Sequence, residues 1–230
     1  MKIYGLQKMT LLDYPGKVAC TLFTGGCNFR CPFCHNAMLV TELDSDNNYS
    51  CEEIFDYLKK RAGILDGVCI TGGEPLLNPD AAEFISEIKS LGYSVKLDTN
   101  GSFPERLEEL IDRGLIDYVA MDIKNTKEKY AETVGVKELD FTPIQKSIEI
   151  IMQGKIPYEF RTTVVNEFHT VRDIENIAKM IAGADGYYLQ KFVDSGNLIG
   201  SDLTPPDKAD MAKMCEKASF YVKNTQLRGV

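Results

Sequence analysis

Apolar and polar positions follow two different periods along this chain. Short β-branched and aromatic runs predict six strands: Val18–Phe23, Val68–Thr71, Ser94–Leu97, Tyr118–Met121, Tyr158–Val164 and Tyr187–Gln190. Between them apolar residues recur at helical spacing. Ser50 and Glu53 read as a capping box ahead of Ile54 and Leu58. Asn78–Pro79 opens a second helix, with Phe84, Ile85, Ile88 and Leu91 inward and Gly92 as its stop. Pro104 opens a third that runs to Gly114, and Thr142–Pro143 a fourth that ends before Gly154. Thr170 caps a fifth that carries Ile174, Ile177 and Ile181 to Gly183, and a last helix is expected near Lys208–Phe220. Asp44–Asn48 reads as a polar loop.

Strands separated by single helices indicate parallel βα units with right-handed crossovers. Six units are too few for an eight-unit barrel of ~250 residues. An open partial barrel and a doubly wound sheet both remain. The chain of 230 residues shows no internal repeat or linker, so one domain spanning 1–230 is expected.

Composition narrows the classes. With 44% hydrophobic and 26% charged residues, the chain can bury a core and is neither disordered nor collagen-like. Its 34 acidic residues against 26 basic ones give a net charge of −8, which disfavours broad binding to nucleic-acid backbones. No apolar run approaches the ~20 residues that span a bilayer, and the start MKIYGLQKMTLLDYPGK has no export pattern. No nucleic-acid or membrane partner and a cytoplasmic location are the expectations. The 7 cysteines are odd in number, which argues against a disulfide framework.

Three cysteines crowd into GGCNFRCPFCHN: Cys27, Cys31 and Cys34. Three thiolates on one tight loop suit three corners of a cubane iron–sulfur cluster, leaving one iron open. Zinc would want a fourth ligand, and His35 directly after Cys34 is strained for that role. Cys20 and Cys69 lie in strand runs and read as core thiols, Cys51 begins a helix, and Cys215 shares a helical face with Met211 and Ala218.

Further polar motifs end successive strands: Thr71-Gly72-Gly73-Glu74-Pro75, Asp98-Thr99-Asn100-Gly101 and Asp122-Ile123-Lys124. In parallel βα folds these ends open on one face, so the motifs converge on one cavity. An ammonium and carboxylates there suit a zwitterionic amino acid ligand; for each residue singly, a surface ion pair is the plainer reading. Arg161 on the fifth predicted strand either faces the cavity or forms a structural pair. His169 reads as a solvated or capping residue.

The Cys-x3-Cys-x2-Cys spacing, with Phe33 before the third cysteine, resembles the radical S-adenosylmethionine (SAM) superfamily. The run LLDYPGKVACTLFTGGCNFRCPFCHN is similar to the glycyl-radical-enzyme activases, above all those of anaerobic ribonucleotide reductase, and also to the pyruvate formate-lyase activase. The resemblance extends over essentially the whole chain. It implies a parallel (β/α)6 partial TIM barrel, a radical SAM core domain with short extensions at both ends. It implies one [4Fe-4S] cluster on Cys27, Cys31 and Cys34, reduced by a flavodoxin- or ferredoxin-type donor. Reductive cleavage of SAM would then yield methionine and a 5′-deoxyadenosyl radical, which abstracts hydrogen from a glycine Cα of a partner enzyme, so no side chain is needed as an acid or base.

By the same resemblance, SAM would meet Phe33, Cys34, His35, Gly72, Gly73, Glu74, Asp98, Asp122, Ile123 and Lys124. Glu74 marks the motif for the methionyl amine and Lys124 pairs the carboxylate. Asp98, Thr99 and Asp122 match positions that hold a monovalent cation. Asp13 matches a position that touches the substrate peptide, with Arg161 as a further candidate, and Val193 stands where the pyruvate formate-lyase activase has a histidine near SAM. The alternatives are a different small radical SAM enzyme, acting on a small molecule or another peptide, and a noncatalytic iron–sulfur or zinc-binding module. The module reading leaves the glycine–glutamate and aspartate–lysine motifs unexplained.

Overall fold

Each predicted strand forms, and two more flank them. The computed structural model describes residues 1–43 and 48–230, so the expected polar loop at Asp44–Asn48 falls outside the described residues except for its last position. In chain order the elements are β1 (Ile3–Thr10), β2 (Ala19–Thr24), the short α1 (Met38–Thr41), α2 (Cys51–Lys60), β3 (Gly67–Gly72), α3 (Ala81–Ser90), β4 (Ser94–Thr99), α4 (Pro104–Asp112), β5 (Tyr118–Asp122), the short α5 (Tyr130–Thr133), α6 (Thr142–Met152), β6 (Tyr158–Val164), α7 (Val171–Met180), β7 (Tyr187–Lys191), α8 (Lys208–Ser219) and β8 (Thr225–Arg228). Among the described residues the strands make one sheet in sequence order. The β1–β2 pair is antiparallel and every later pair is parallel. This is the partial barrel, not the doubly wound sheet.

The expected caps explain where helices start. Ser50 accepts from the Glu53 amide and Glu53 returns the bond, closing the capping box of α2. Thr170 and Asp173 do the same for α7. One start differs: Pro75–Leu77 forms a 3₁₀ turn capped by Asn78, so α3 begins at Ala81 rather than at Pro79.

The strands carry two kinds of residue in alternation. On β4, Val95 and Leu97 join the apolar core, whereas Lys96 and Asp98 take the opposite face. Ile70, Val119, Met121, Phe160 and Leu189 extend that fully buried apolar layer, against which the helices pack Ile54, Ile85, Leu107, Ile148 and Ile177. Removing such surface from water stabilises the fold by roughly 25 cal/mol per Å². The interior face is polar, and among the described residues no buried side-chain polar atom lacks a partner. No described helix is long and apolar enough to cross a membrane.

The strands that sequence patterning missed explain themselves. β1 has a half-exposed, interrupted pattern, and register irregularities separate Ile3 from Gly5 and Gln7 from Thr10 against β2. β8 is four residues, TQLR, and is anchored by charge: Arg228 pairs Glu159 through two 2.9 Å contacts and lies 3.6 Å over the Tyr188 ring.

Arg228→Ala would leave Glu159, 2% exposed, with the Tyr118 hydroxyl at 3.2 Å as a remaining partner. The expected loss is about 3 kcal/mol, the low end for a broken buried pair because Arg228 is partly exposed. Urea unfolding checks this, together with faster amide exchange over β8.

Candidate active site

The three-cysteine loop leaves β2 at Thr24 and is held at several points. The Gly26 amide donates to the Leu39 carbonyl at 2.7 Å, Arg30 to Val134 at 2.8 Å, and Gly200 to Pro32 at 2.8 Å. Phe29 packs edge-on to Tyr130, and Phe33 packs on Phe168. Cys27, Cys31 and Cys34 are free thiols that line one cavity of about 220 Å³ at the carboxyl ends of the strands. The same cavity is lined by Phe33, His35, Gly72, Gly73, Asp98, Thr99, Asp122 and Lys124, and also by Arg161, whose place the sequence left open between the cavity and a structural pair and which does both.

Gly73 makes this approach possible. A Cβ on it would fall 1.9 Å from the Gly26 carbonyl oxygen, so the β3 turn touches the cysteine loop backbone to backbone. The Glu74 amide then donates to that same Gly26 carbonyl at 2.8 Å.

Four expected contacts differ. Glu74 is fully buried and does not line the cavity. Its Oε1 accepts from the Leu76 amide at 3.1 Å and the Thr99 hydroxyl at 2.8 Å, and its Oε2 from the Asn100 amide at 2.6 Å. It fastens the ends of β3 and β4 together instead of facing a ligand. Ile123 is also fully buried off the cavity, because strand alternation turns it away from Asp122 and Lys124. Val193 lies beyond the end of β7 and is largely exposed; its carbonyl meets His35 Nε2 at 2.9 Å. Gln190, on β7 itself, lines the cavity in its place. Asp13 is at the other end of the barrel. β1 runs antiparallel and finishes beside Ala19, so the chain emerges at the amino ends of the parallel strands, where Asp13 Oδ2 accepts from Thr21 at 2.5 Å.

A continuous chain of ion pairs crosses the interior. Lys96 pairs Asp98, and Asp98 Oδ2 receives Arg161 Nη1 at 3.1 Å. Arg161 Nε donates to Asp122 Oδ1 at 3.0 Å, and Lys124 Nζ lies 3.3 Å from Asp122 Oδ2. Burial would raise both aspartates, but Arg161 with Lys96 holds Asp98 below its ordinary value, and Arg161 with Lys124 holds Asp122 down at about 2. Burial opposes charge on Lys124, yet the Asp122 carboxylate raises it above the usual lysine range. These five side chains hold three cations and two anions. At the three positions expected to hold a monovalent cation, both carboxylates face resident cations and the Thr99 hydroxyl donates to Glu74. The surplus positive charge at Lys124 suits a carboxylate ligand.

The cysteines fit a cubane cluster by donor chemistry. Burial pushes the Cys31 thiol up to about 12 and raises Cys27, so bare thiolates are disfavoured there until a positive centre arrives. Among the described residues, no three or more Cys, His, Asp or Glu gather as ligands of a single ion. A cubane presents a separate iron to each thiolate and needs no such convergence. His35, the fourth zinc ligand considered, has its ring stacked on Phe192.

Sequence reasoning missed Phe29, Asn36, Val40, Asn100, Thr163 and Gln190 on the cavity wall. Asn100 stood inside a quoted motif, and Thr163 follows Arg161 at the strand period of two. His169 is buried rather than solvated. The Val165 amide donates to its Nδ1 at 3.1 Å, so Nε2 carries the proton and donates to the Lys124 carbonyl at 2.7 Å.

Comparison with known proteins gives the chain a family. The Radical SAM superfamily profile matches residues 21–181. A Methanocaldococcus jannaschii protein named "putative glycyl-radical enzyme activating enzyme" is 35% identical, over 99% of this chain and 96% of its own. The pyruvate formate-lyase-activating enzyme of Clostridium pasteurianum is 28% identical over 80% of this chain and 79% of its own. In fold, Streptococcus suis SuiB bound to precursor peptide SuiA matches with a TM-score of 0.72 at 16% identity, covering 91% of this chain and 48% of that one.

Burial pushes the Glu74 carboxyl up to about 7 against the pull of its donors at Asn100, Thr99 and Leu76. Between its ordinary 4.5 and about 7 the folded protein holds a proton that the unfolded chain has released. This group's contribution to stability therefore falls as pH rises through that window. Glu74→Gln removes that slope. Its amide N–H₂ must also oppose the Asn100 or the Leu76 N–H, a loss of about 1–3 kcal/mol. Urea unfolding at about pH 5 and about pH 8 measures both effects.

Proposed function

This chain belongs to the radical SAM superfamily, and we propose that within it the protein is a glycyl-radical-enzyme activase whose partner is an anaerobic ribonucleotide reductase or a close relative. The observation that carries the reading is the single cavity in which three cysteines, a glycine floor and a surplus lysine meet. The full-length likeness to the Methanocaldococcus jannaschii protein of that name, and the likeness to a pyruvate formate-lyase-activating enzyme, support the activase class. The similarity of the Leu11–Asn36 run to ribonucleotide reductase activases supports the partner.

Each residue has a role. Cys27, Cys31 and Cys34 would hold three irons of one [4Fe-4S] cluster and leave the fourth open to SAM. The backbone at Gly72 and Gly73, free of side chains, would admit the methionyl amino end. Lys124 would take the carboxylate, with Arg161 fixing Asp98 and Asp122 beside it. Phe29, Phe33 and Val40 would line the wall and limit water. When bound, the cluster and SAM supply hydrogen-abstraction chemistry, driven by one electron from a flavodoxin- or ferredoxin-type donor.

Anaerobically reconstituted, reduced protein incubated with SAM should give 5′-deoxyadenosine and methionine, and each of Cys27→Ala, Cys31→Ala and Cys34→Ala should abolish both. Electron paramagnetic resonance should show a glycyl radical on the partner; turnover of a small molecule with no such radical would overturn the activase reading. Lys124→Ala should keep its iron and bind SAM ten- to a hundredfold more weakly, the equivalent of ~1.5–3 kcal/mol for a charge-assisted contact. Equilibrium dialysis checks this, and an unchanged affinity would remove Lys124 from the site.

A further inference from the structure

Asn100 lies where β4 gives way to the loop that faces the cysteines, and its side chain is 6% exposed. Its Nδ2 stands 3.7 Å from Cys27 Sγ and 3.0 Å from Asn28 Oδ1, one partner for each of its two hydrogens. Its Oδ1 accepts from the Ser102 amide at 2.9 Å and the Ser102 hydroxyl at 2.5 Å. Asn28 Nδ2 in turn donates to Ser102 Oγ at 3.0 Å. This triangle fixes the orientation of the Asn100 amide. A flip would set N–H₂ against the Ser102 N–H and bring oxygen against both the sulfur and Asn28 Oδ1. The main chain is fixed as well, since the Asn100 amide donates to the buried Glu74 carboxylate. The Cys27 sulfur meets a second donor, the Phe29 backbone N–H at 3.4 Å.

We propose that Asn100 is a positioning residue whose side-chain N–H donates to the Cys27 sulfur and raises the reduction potential of the cluster held there. This rests on the reading of Cys27 as a cluster ligand. Reduction adds one electron to the cluster, supplied by a low-potential donor, and neither makes nor breaks a bond at Asn100. The added charge spreads onto the ligand sulfurs. A fixed N–H dipole aimed at one of them therefore stabilises the reduced form more than the oxidised form. The contact also explains why Asn100 is buried with its orientation locked while it lines the cavity through the amide.

The test is a redox titration with dithionite, followed by electron paramagnetic resonance, on anaerobically reconstituted protein with iron content measured in parallel. Asn100→Ala should keep the cluster and show a lower midpoint potential than the unaltered protein. Asn100→Asp should shift it further down, because it keeps the acceptor for Ser102 but turns a carboxylate oxygen toward the sulfur. Asn28→Ala removes the tether between the loops and leaves the donor, so its midpoint should stay at the unaltered value. Unshifted potentials in both Asn100 variants, or an equal drop in Asn28→Ala, would overturn the proposal. Loss of the cluster from both Asn100 variants would make Asn100 a part of loop assembly and overturn it too. Failure of the unaltered protein to take up about four irons would instead sink the reading of the cysteines.

Discussion

Arg161 is the constraint around which the mouth of the barrel is built. Its side chain is 12% exposed and lies between two carboxylates, Asp122 on the adjoining β5 and Asp98 one strand further on, on β4. A buried cation without partners would be strongly destabilising, and so would two facing aspartates without a cation between them. Each group makes the others tolerable. Replacing such a set with apolar side chains is often neutral or stabilising, so its presence is no argument for stability. What it provides is an oriented array of charge at the cavity edge that no apolar packing can offer. Lys96 closes one end against Asp98, and Lys124 closes the other against Asp122 while facing the cysteines. The rigid fork of Arg161 matters here, since a lysine could not bridge two strands with fixed geometry.

A second frame, of hydrogen bonds rather than ion pairs, joins the loops around the cavity. Gly26, Gly73, Glu74, Thr99 and Asn100 connect the cysteine loop, the β3 turn and the β4 exit through backbone and carboxylate hydrogen bonds. Arg106 adds another tie by donating to the Leu76 carbonyl. The three loops that would meet one ligand are therefore positioned by groups behind the cavity wall. Such supporting contacts keep a site within tolerance when the groups that touch the ligand are few.

Much of this was legible in the sequence, and the failures have physical causes. The six central strands were readable because both faces are buried and the runs are β-branched. The cysteine loop and the strand-end motifs were readable because parallel topology sends all of them to one face. The direction of the Glu74 side chain was not readable, because a carboxylate beside two glycines looks the same whether it points into a cavity or behind it; of its three donors, Leu76 lies in its own turn, while Thr99 and Asn100 come from the end of β4. The placement of Asp13 was not readable because antiparallel β1 decides which end of the barrel its following loop reaches, and β1 itself was hidden by its irregular pattern. The place of Arg161 between the aspartates was not readable either, because that pairing depends on the β5–β6 register of Asp122 with Arg161.

The same register logic explains the last strand. Apolar periodicity finds a strand when packing holds it, but β8 has one aliphatic residue, Leu227, and depends on Arg228 reaching Glu159 across β7. Tyr118 and Tyr188 complete that cluster, and Tyr14 packs on Tyr118 at 6.1 Å. On β6, Glu159 and Arg161 are two residues apart and take the same interior face. One strand thus carries both centres of interior charge: Glu159 organises the closing strand, and Arg161 organises the cavity. The polar interior serves two structural tasks with residues of the same kind, and their direction of pairing distinguishes them. Glu159 draws an arginine inward from the edge of the sheet, whereas Arg161 draws in two acids, Asp122 and Asp98, and Lys124 pairs with the first of them on the side that faces the thiols.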